Sequence, residues 1–218
     1  MQSMKVAKKF DSEMKAYIEN FVNKQDFRAI ETPLKKNQAY KDEIKHKLYS
    51  MYSSQKLIKD MCGSISLINK YLTNEKVRYE LENAFDHFER IKNQYMDSKG
   101  CWLDHIELNT KPWVLFGLSV DSLLTIYQIV LKCYENKEID HAKNLLELLL
   151  IFAPTISSYW NALGFCFKEE SLEMALDYYL ISLQIDPHHV ETYFYIAHTY
   201  LAMNNRNLAE LQLEKLND

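Results

Sequence analysis

The chain has 218 residues, 47% of them hydrophobic and 26% charged, with only four glycines and four prolines. Gly and Pro together average about 12% of residues in globular proteins, so their scarcity excludes a turn-rich β-sandwich and the Gly-rich loops of a doubly wound α/β protein, and leaves helices joined by short connections. The net charge of −4 divides into 13 Lys+Arg against 8 Asp+Glu over residues 1–60, 7 against 8 over 61–118 and 6 against 14 over 119–218, so the C-terminal half is too acidic to suit a nucleic-acid partner.

Three apolar stripes at helical spacing occupy the first hundred residues. The first runs through Ala7, Phe10, Met14, Tyr17, Ile18 and Phe21. Pro33 breaks the pattern, and a second stripe begins at Ile44, Leu48, Met51 and Ile58. It continues through Met61, Ile65, Ile68 and Leu72, with a bend expected near Ser53-Ser54 or Gly63. Val77, Leu81, Phe85, Phe88, Ile91 and Tyr95 form the third, and Gly100 is its expected C-terminal stop. Each stripe reads as core. Residues 101–118 are apolar without long periodicity, so this connection is expected to pack down on the protein. It separates a helical N-terminal region, 1–118, from a second domain, 119–218.

The last hundred residues repeat. Pro154 and Pro187 are 33 apart; Ala142, Ala175 and Ala209 fall at spacings of 33 and 34, and Ile126, Trp160 and Tyr193 at 34 and 33. A helix–turn–helix repeat of about 34 residues is the tetratricopeptide pattern. The middle copy carries it most fully, with Trp160, Leu163, Gly164 and Phe167, then Ala175, Tyr179, Asp186 and Pro187. Gly164 and Ala175 are read as small because the two helices of a repeat approach closely there. Trp160, Leu163 and Tyr179 fill the space between helices, and Asp186 is expected to cap the next helix with Pro187 in its first position. Helices are expected at 120–134, 139–152, 156–168, 171–185, 188–203 and 205–217. The fold class is therefore all-α: an N-terminal helical region followed by three repeats in a right-handed solenoid.

No catalytic set stands out, and the chain is expected not to be an enzyme and to need no cofactor or metal. There is no G-x-S-x-G, no H-E-x-x-H and no phosphate loop. Cys101 and His105 are four apart but have no second pair to complete a metal site. His188-His189 are expected to be solvated or to help a turn. The cysteines Cys62, Cys101, Cys133 and Cys166 are scattered and read as free thiols of a reducing compartment. Asp11 and Glu13 follow the first lysines without an apolar run, so no secretory signal is expected. No stretch approaches the roughly 18 apolar residues of a membrane span. A cytoplasmic location and no membrane insertion follow as expectations.

In a stack of such repeats the first helix of each lines a concave groove. With repeat starts at 123, 157 and 190, the inward positions are Leu124, Tyr127, Leu131 and Tyr134; Ser158, Asn161, Phe165 and Lys168; and Glu191, Phe194, His198 and Leu201. The candidate peptide-binding residues are Leu124, Tyr127, Leu131, Tyr134, Asn161, Phe165, Lys168, Phe194, His198 and Leu201. This wall suits an extended segment that offers apolar side chains at intervals, with Asn161 able to both donate and accept hydrogen bonds. Tyr127 and Leu131 stand where co-chaperones that clamp a C-terminal carboxylate need Lys and Asn, which disfavours that class.

From about Phe116 onward the text resembles the tetratricopeptide chaperones of bacterial type III secretion translocators, the class II chaperones. The matching residues are the helix start Leu118-Ser119-Val120-Asp121-Ser122, the run Ile126-Tyr127 with Leu131 and Tyr134, the turn Asn136-Lys137 leading to Ala142, and Trp160 to Gly164 with Tyr193-Phe194-Tyr195. The resemblance covers about 100 of the 218 residues. It implies a chaperone or adaptor whose residues at Tyr127, Leu131 and Tyr134 hold an extended cargo segment. The chain departs from that family in its long N-terminal region and in ending within the last repeat helix. Leu208, Leu211, Leu213 and Leu216 there are expected to be covered by N-terminal helices or by a second copy in a homodimer. The alternative function is a scaffold or regulator whose repeats dock its own N-terminal helices or a homo-oligomeric partner.

Overall fold

The computed structural model describes residues 64–84, 86, 113 and 117–216. The first stripe, most of the second, the third beyond Leu81, and the residues Cys62, Cys101 and His105 lie outside the described residues. Within them the chain is all-helical, with eight helices and no strand. These are α1 (residues 64–71), α2 (residues 75–84), α3 (Val120–Glu135), α4 (Ile139–Phe152), α5 (Ser157–Phe167), α6 (Leu172–Ile185), α7 (Val190–Ala202) and α8 (Arg206–Glu214).

Helix boundaries follow local chemistry. Asn74 Oδ1 accepts from the N–H groups of Lys76 and Val77 at the start of α2. Ser119, Ser171 and Asn205 cap α3, α6 and α8 in the same way, each accepting from the N–H three residues on. The α3–α4 and α7–α8 turns close alike. Lys137 and Asn204 are left-handed, with φ of 61° and 57°, and Glu138 N–H and Asn205 N–H reach back five residues to the carbonyls of Cys133 and Tyr200 at 2.8 Å. The expected start of the fifth repeat helix at 188 is corrected. Asp186 ends α6 and accepts from His188 N–H at 3.0 Å, Pro187 sits in the turn, and α7 begins at Val190 with His189 as N-cap. The Asp186 carboxylate serves the turn, and with the helix starting at Val190 its N-cap is His189, which makes no side-chain capping bond.

Short connections make α3–α4, α5–α6 and α7–α8 helical hairpins, and α4 packs on α5 and α6 on α7, so the three pairs stack in series. The pairs meet at small residues. A Cβ placed on Gly164 of α5 would lie 2.7 Å from Tyr179 Cε1 and 2.9 Å from the Ala175 carbonyl oxygen of α6. Trp160, Tyr179, Tyr200 and Phe152 fill the interior.

The α1–α2 hairpin belongs to the same core. Leu67, Ile68, Leu72, Val77, Leu81 and Ala84 are buried together with Leu118, Leu123 and Ile126. Polar contacts fix its placement. Tyr71 OH donates to Glu138 Oε2 at 2.8 Å, and Lys70 Nζ lies 3.4 Å from Glu138 Oε1. The Glu80 carboxylate accepts from Ser119 N–H at 3.1 Å, from Ser119 Oγ at 2.6 Å and from Ser122 Oγ, at the N-terminal end of α3. Burial pushes the Glu80 carboxyl up, but the Ser119 and Ser122 hydrogen bonds outweigh it and hold it below its ordinary value. At the far end of the stack Leu208 is buried and Leu216 half-buried, whereas Leu211 and Leu213 remain exposed. The four leucines do not share one face, because α8 turns only its 208, 209 and 212 positions inward.

Candidate functional site

The first helices of the three pairs, α3, α5 and α7, line one groove of about 330 Å³. Its walls include Tyr127, Leu131 and Tyr134 from α3, Ser158, Asn161 and Phe165 from α5, and Glu191 and Tyr195 from α7. Rings tile it from one helix to the next. Tyr127 lies 5.4 Å from Tyr159 between centroids, Tyr134 lies 4.9 Å from Phe165, and Phe165 lies 5.5 Å from Tyr195. Tyr195 in turn stacks on Tyr179 at 5.6 Å, which ties the groove floor to the Gly164 contact beneath it. Lys168 Nζ sits 3.8 Å above the Phe165 ring, a cation–π contact at the groove's edge.

Of the ten candidate residues, Tyr127, Leu131, Tyr134, Asn161 and Phe165 line the groove together, and Lys168 borders it through Phe165. Ser158 and Glu191, counted among the inward positions, also line it. Leu124, Phe194, His198 and Leu201 do not: they are exposed along α3 and α7 outside its walls. Five lining residues lay outside the positional count, namely Val130, Ala162, Cys166, His189 and Tyr195. Tyr195 had a signal in the sequence, since it ends the aromatic run Tyr193-Phe194-Tyr195. The positional rule chose Phe194 instead, and the helix phase turns Tyr195 to the floor.

Asn161 is buried, and its Oδ1 accepts from Thr192 Oγ1 at 3.1 Å. One lone pair of the carboxamide oxygen is thus engaged by α7, while its NH2 has no protein partner among the described residues. Among the described residues no group of three or more His, Cys, Asp or Glu could hold a metal. Cys133 and Cys166 are free buried thiols, and burial pushes Cys166 up to about 11, so it stands in the groove wall as a neutral, apolar group.

Burial also raises the tyrosines of the stack. Tyr159 is pushed up to about 12, with a smaller contribution from Tyr127. Tyr127 and Tyr134 are raised by burial first and by the nearby Cys166 second. Tyr178 and Tyr179 are raised further by the same desolvation. A phenol whose folded-state value exceeds its unfolded value of about 10 contributes stability that is complete below pH ~10 and lost as pH climbs above it. Titration of tyrosinate absorbance at 295 nm should therefore show a delayed class in the folded protein, ionising only near pH 12 or on unfolding. In urea all fifteen tyrosines should titrate together near pH ~10. A single transition near 10 in the native protein would refute the burial of these rings.

Over the described residues, fold and site together define an all-helical structure with an open, ring-lined groove. Among the described residues no helix is long and apolar enough to cross a membrane. No protein-family profile and no curated protein matches the chain. Among solved structures, one chain of a CopN-Scc3 complex is similar over 57% of this chain and 72% of that chain, with 21% identity and a TM-score of 0.46.

Proposed function

We propose that α3–α8 are three tetratricopeptide repeats in a right-handed solenoid, and that the protein is a non-enzymatic chaperone or adaptor. It holds an extended segment of a partner protein in the groove of α3, α5 and α7. The observation that carries this reading is the row of groups converging on one open cleft: the half-buried rings of Tyr127, Tyr134, Phe165 and Tyr195, with the exposed Leu131 beside them. Such side chains gain free energy when a partner removes their remaining surface from water. The resemblance at Tyr127, Leu131, Tyr134 and Trp160–Gly164 extends the reading to a cytoplasmic chaperone of a bacterial type III secretion cargo. The partner's apolar side chains would seat against the rings, keeping the partner soluble and competent for export.

Self-docking in the groove is the less favoured reading. Among the described residues none before Tyr127 lines the groove, while most of the 101–118 connection lies outside the described residues. The α1–α2 hairpin is tied instead to Glu138 and to the N-terminal end of α3.

Tyr127→Ala combined with Phe165→Ala tests the proposal. Loss of two central aromatic anchors should weaken binding of peptides selected on the immobilised chain by at least about a hundredfold. Circular dichroism should stay unchanged. Equal binding by the double variant, measured by calorimetric titration, would remove the groove as the binding site.

A further inference from the structure

The floor of the groove contains one polar group whose surroundings are asymmetric. Asn161 is only 9% exposed. Its Oδ1 accepts from Thr192 Oγ1 at 3.1 Å. Thr192 is fully buried, and its hydroxyl also meets His189 Nδ1 at 2.8 Å and Ser182 Oγ at 3.3 Å. A threonine hydroxyl has one hydrogen and two lone pairs. Giving the hydrogen to Asn161 leaves two lone pairs, which His189 Nδ1–H and Ser182 Oγ–H fill. The complement is complete, and it holds the carboxamide with its oxygen toward α7. The NH2 of Asn161 bonds no described residue. It is a donor left facing the cleft without a protein acceptor, on a wall built mainly of rings and aliphatic groups, with Ser158, His189 and Glu191 as its other polar members.

We infer that Asn161 sets the register of the bound segment: its NH2 donates to a carbonyl oxygen of the occupant, while Thr192 and His189 are positioning residues that keep the carboxamide facing donor-outward. The inference rests on the groove being the site of an extended segment. Ring contacts are non-directional, so burial against Tyr127 or Phe165 alone lets a strand slide along the cleft. One fixed donor between the Tyr127–Tyr159 pair and the Phe165–Tyr134–Tyr195 cluster admits far fewer alignments. The required chemistry is an sp² oxygen, from the backbone or from an Asn or Gln side chain of the occupant.

The probe is a short peptide selected from a random library on the full chain and kept because the Tyr127→Ala/Phe165→Ala variant does not bind it. Each backbone amide is replaced in turn by an ester, which weakens the carbonyl as an acceptor and removes the N–H. Each is separately N-methylated, which removes the N–H alone, and each Asn or Gln is changed to norleucine. One ester unit, or one norleucine, should cost about tenfold in Kd on the wild-type chain, with no matching loss on N-methylation. That penalty should fall to about twofold or less on Asn161→Ala. It should also shrink on Thr192→Val, which frees the carboxamide to turn over while leaving the rings in place. Because Asn161→Ala leaves Thr192 short of a partner, a second readout uses the unmodified protein: the Asn161 side-chain ¹⁵NH2 signals should shift and become protected from exchange when the peptide binds. A penalty that follows N-methylation would mean that Asn161 presents its oxygen, and a penalty that persists in Asn161→Ala would place the contact elsewhere. Either result, or unmoved ¹⁵NH2 signals, overturns the assignment while the groove stands. If every selected peptide binds without Tyr127 and Phe165, the groove reading fails and this inference with it.

Discussion

Trp160→Ala is expected to cost about 3–5 kcal/mol, as truncation of a fully buried tryptophan does when the site cannot collapse around the void. The indole is completely buried in α5, the helix with neighbours on both sides of the stack. Its Nε1–H donates to the Pro154 carbonyl at 2.7 Å, and its ring stacks with Tyr178 of α6 at 6.3 Å. The central pair packs on the pair before it through α4–α5 and on the pair after it through α6–α7, so damage to it weakens both interfaces. A total stability of 5–15 kcal/mol leaves little margin for such a loss. Urea unfolding followed by circular dichroism should show a midpoint shift of that size, or no folded baseline. Trp160→Phe keeps a six-membered ring but loses the rest of the indole and its N–H donor, stranding a buried carbonyl; its cost should be smaller than that of the Ala variant, with about 1–3 kcal/mol of it from the unpaired carbonyl. Near-equal stability of wild type and Trp160→Ala would contradict the packing described.

Gly164→Ala tests the opposite kind of defect. On an exposed helix the change would stabilise by about 1 kcal/mol. Here the new methyl meets the Tyr179 ring at 2.7 and 2.8 Å and the Ala175 carbonyl oxygen at 2.9 Å. The ring can yield, but the backbone oxygen moves only if α5 and α6 separate. The expected net effect is destabilisation of about 1–3 kcal/mol, with Gly164→Val worse because its two methyls extend further into the same space. Tyr179 carries Tyr195, so the ring shift should also disturb the groove, and peptide affinity should fall along with the melting temperature. A more stable Gly164→Ala protein would show that the helices are not in contact there.

Much of the helical layout was legible because it depends on local rules. The 33–34-residue spacing of Ala142, Ala175 and Ala209 placed six helices near their observed spans. The errors fall where local signals compete. Asp186-Pro187 reads equally as a helix start or as a turn, and the turn takes the carboxylate. About half of the candidate site was also legible. Counting every third or fourth position finds Tyr127, Leu131, Tyr134, Asn161 and Phe165. It also picks Leu124, Phe194, His198 and Leu201, which stand exposed along α3 and α7 outside the groove walls.

Residue spacing by itself therefore determined that the described part of this chain is helical, where the six helices from Val120 to Glu214 run, and that small side chains at Gly164 and Ala175 mark a close approach. These follow from periodicity and volume, properties each segment carries alone. The tertiary structure decided which side chains meet and which of their atoms are already spent. The oxygen of Asn161 is committed to Thr192, 31 positions away, and the α1–α2 hairpin is anchored by Glu138 and by the start of α3. A hydrogen bond needs its two partners within about 3 Å and aligned, a condition set by how helices distant in the chain come to rest against one another.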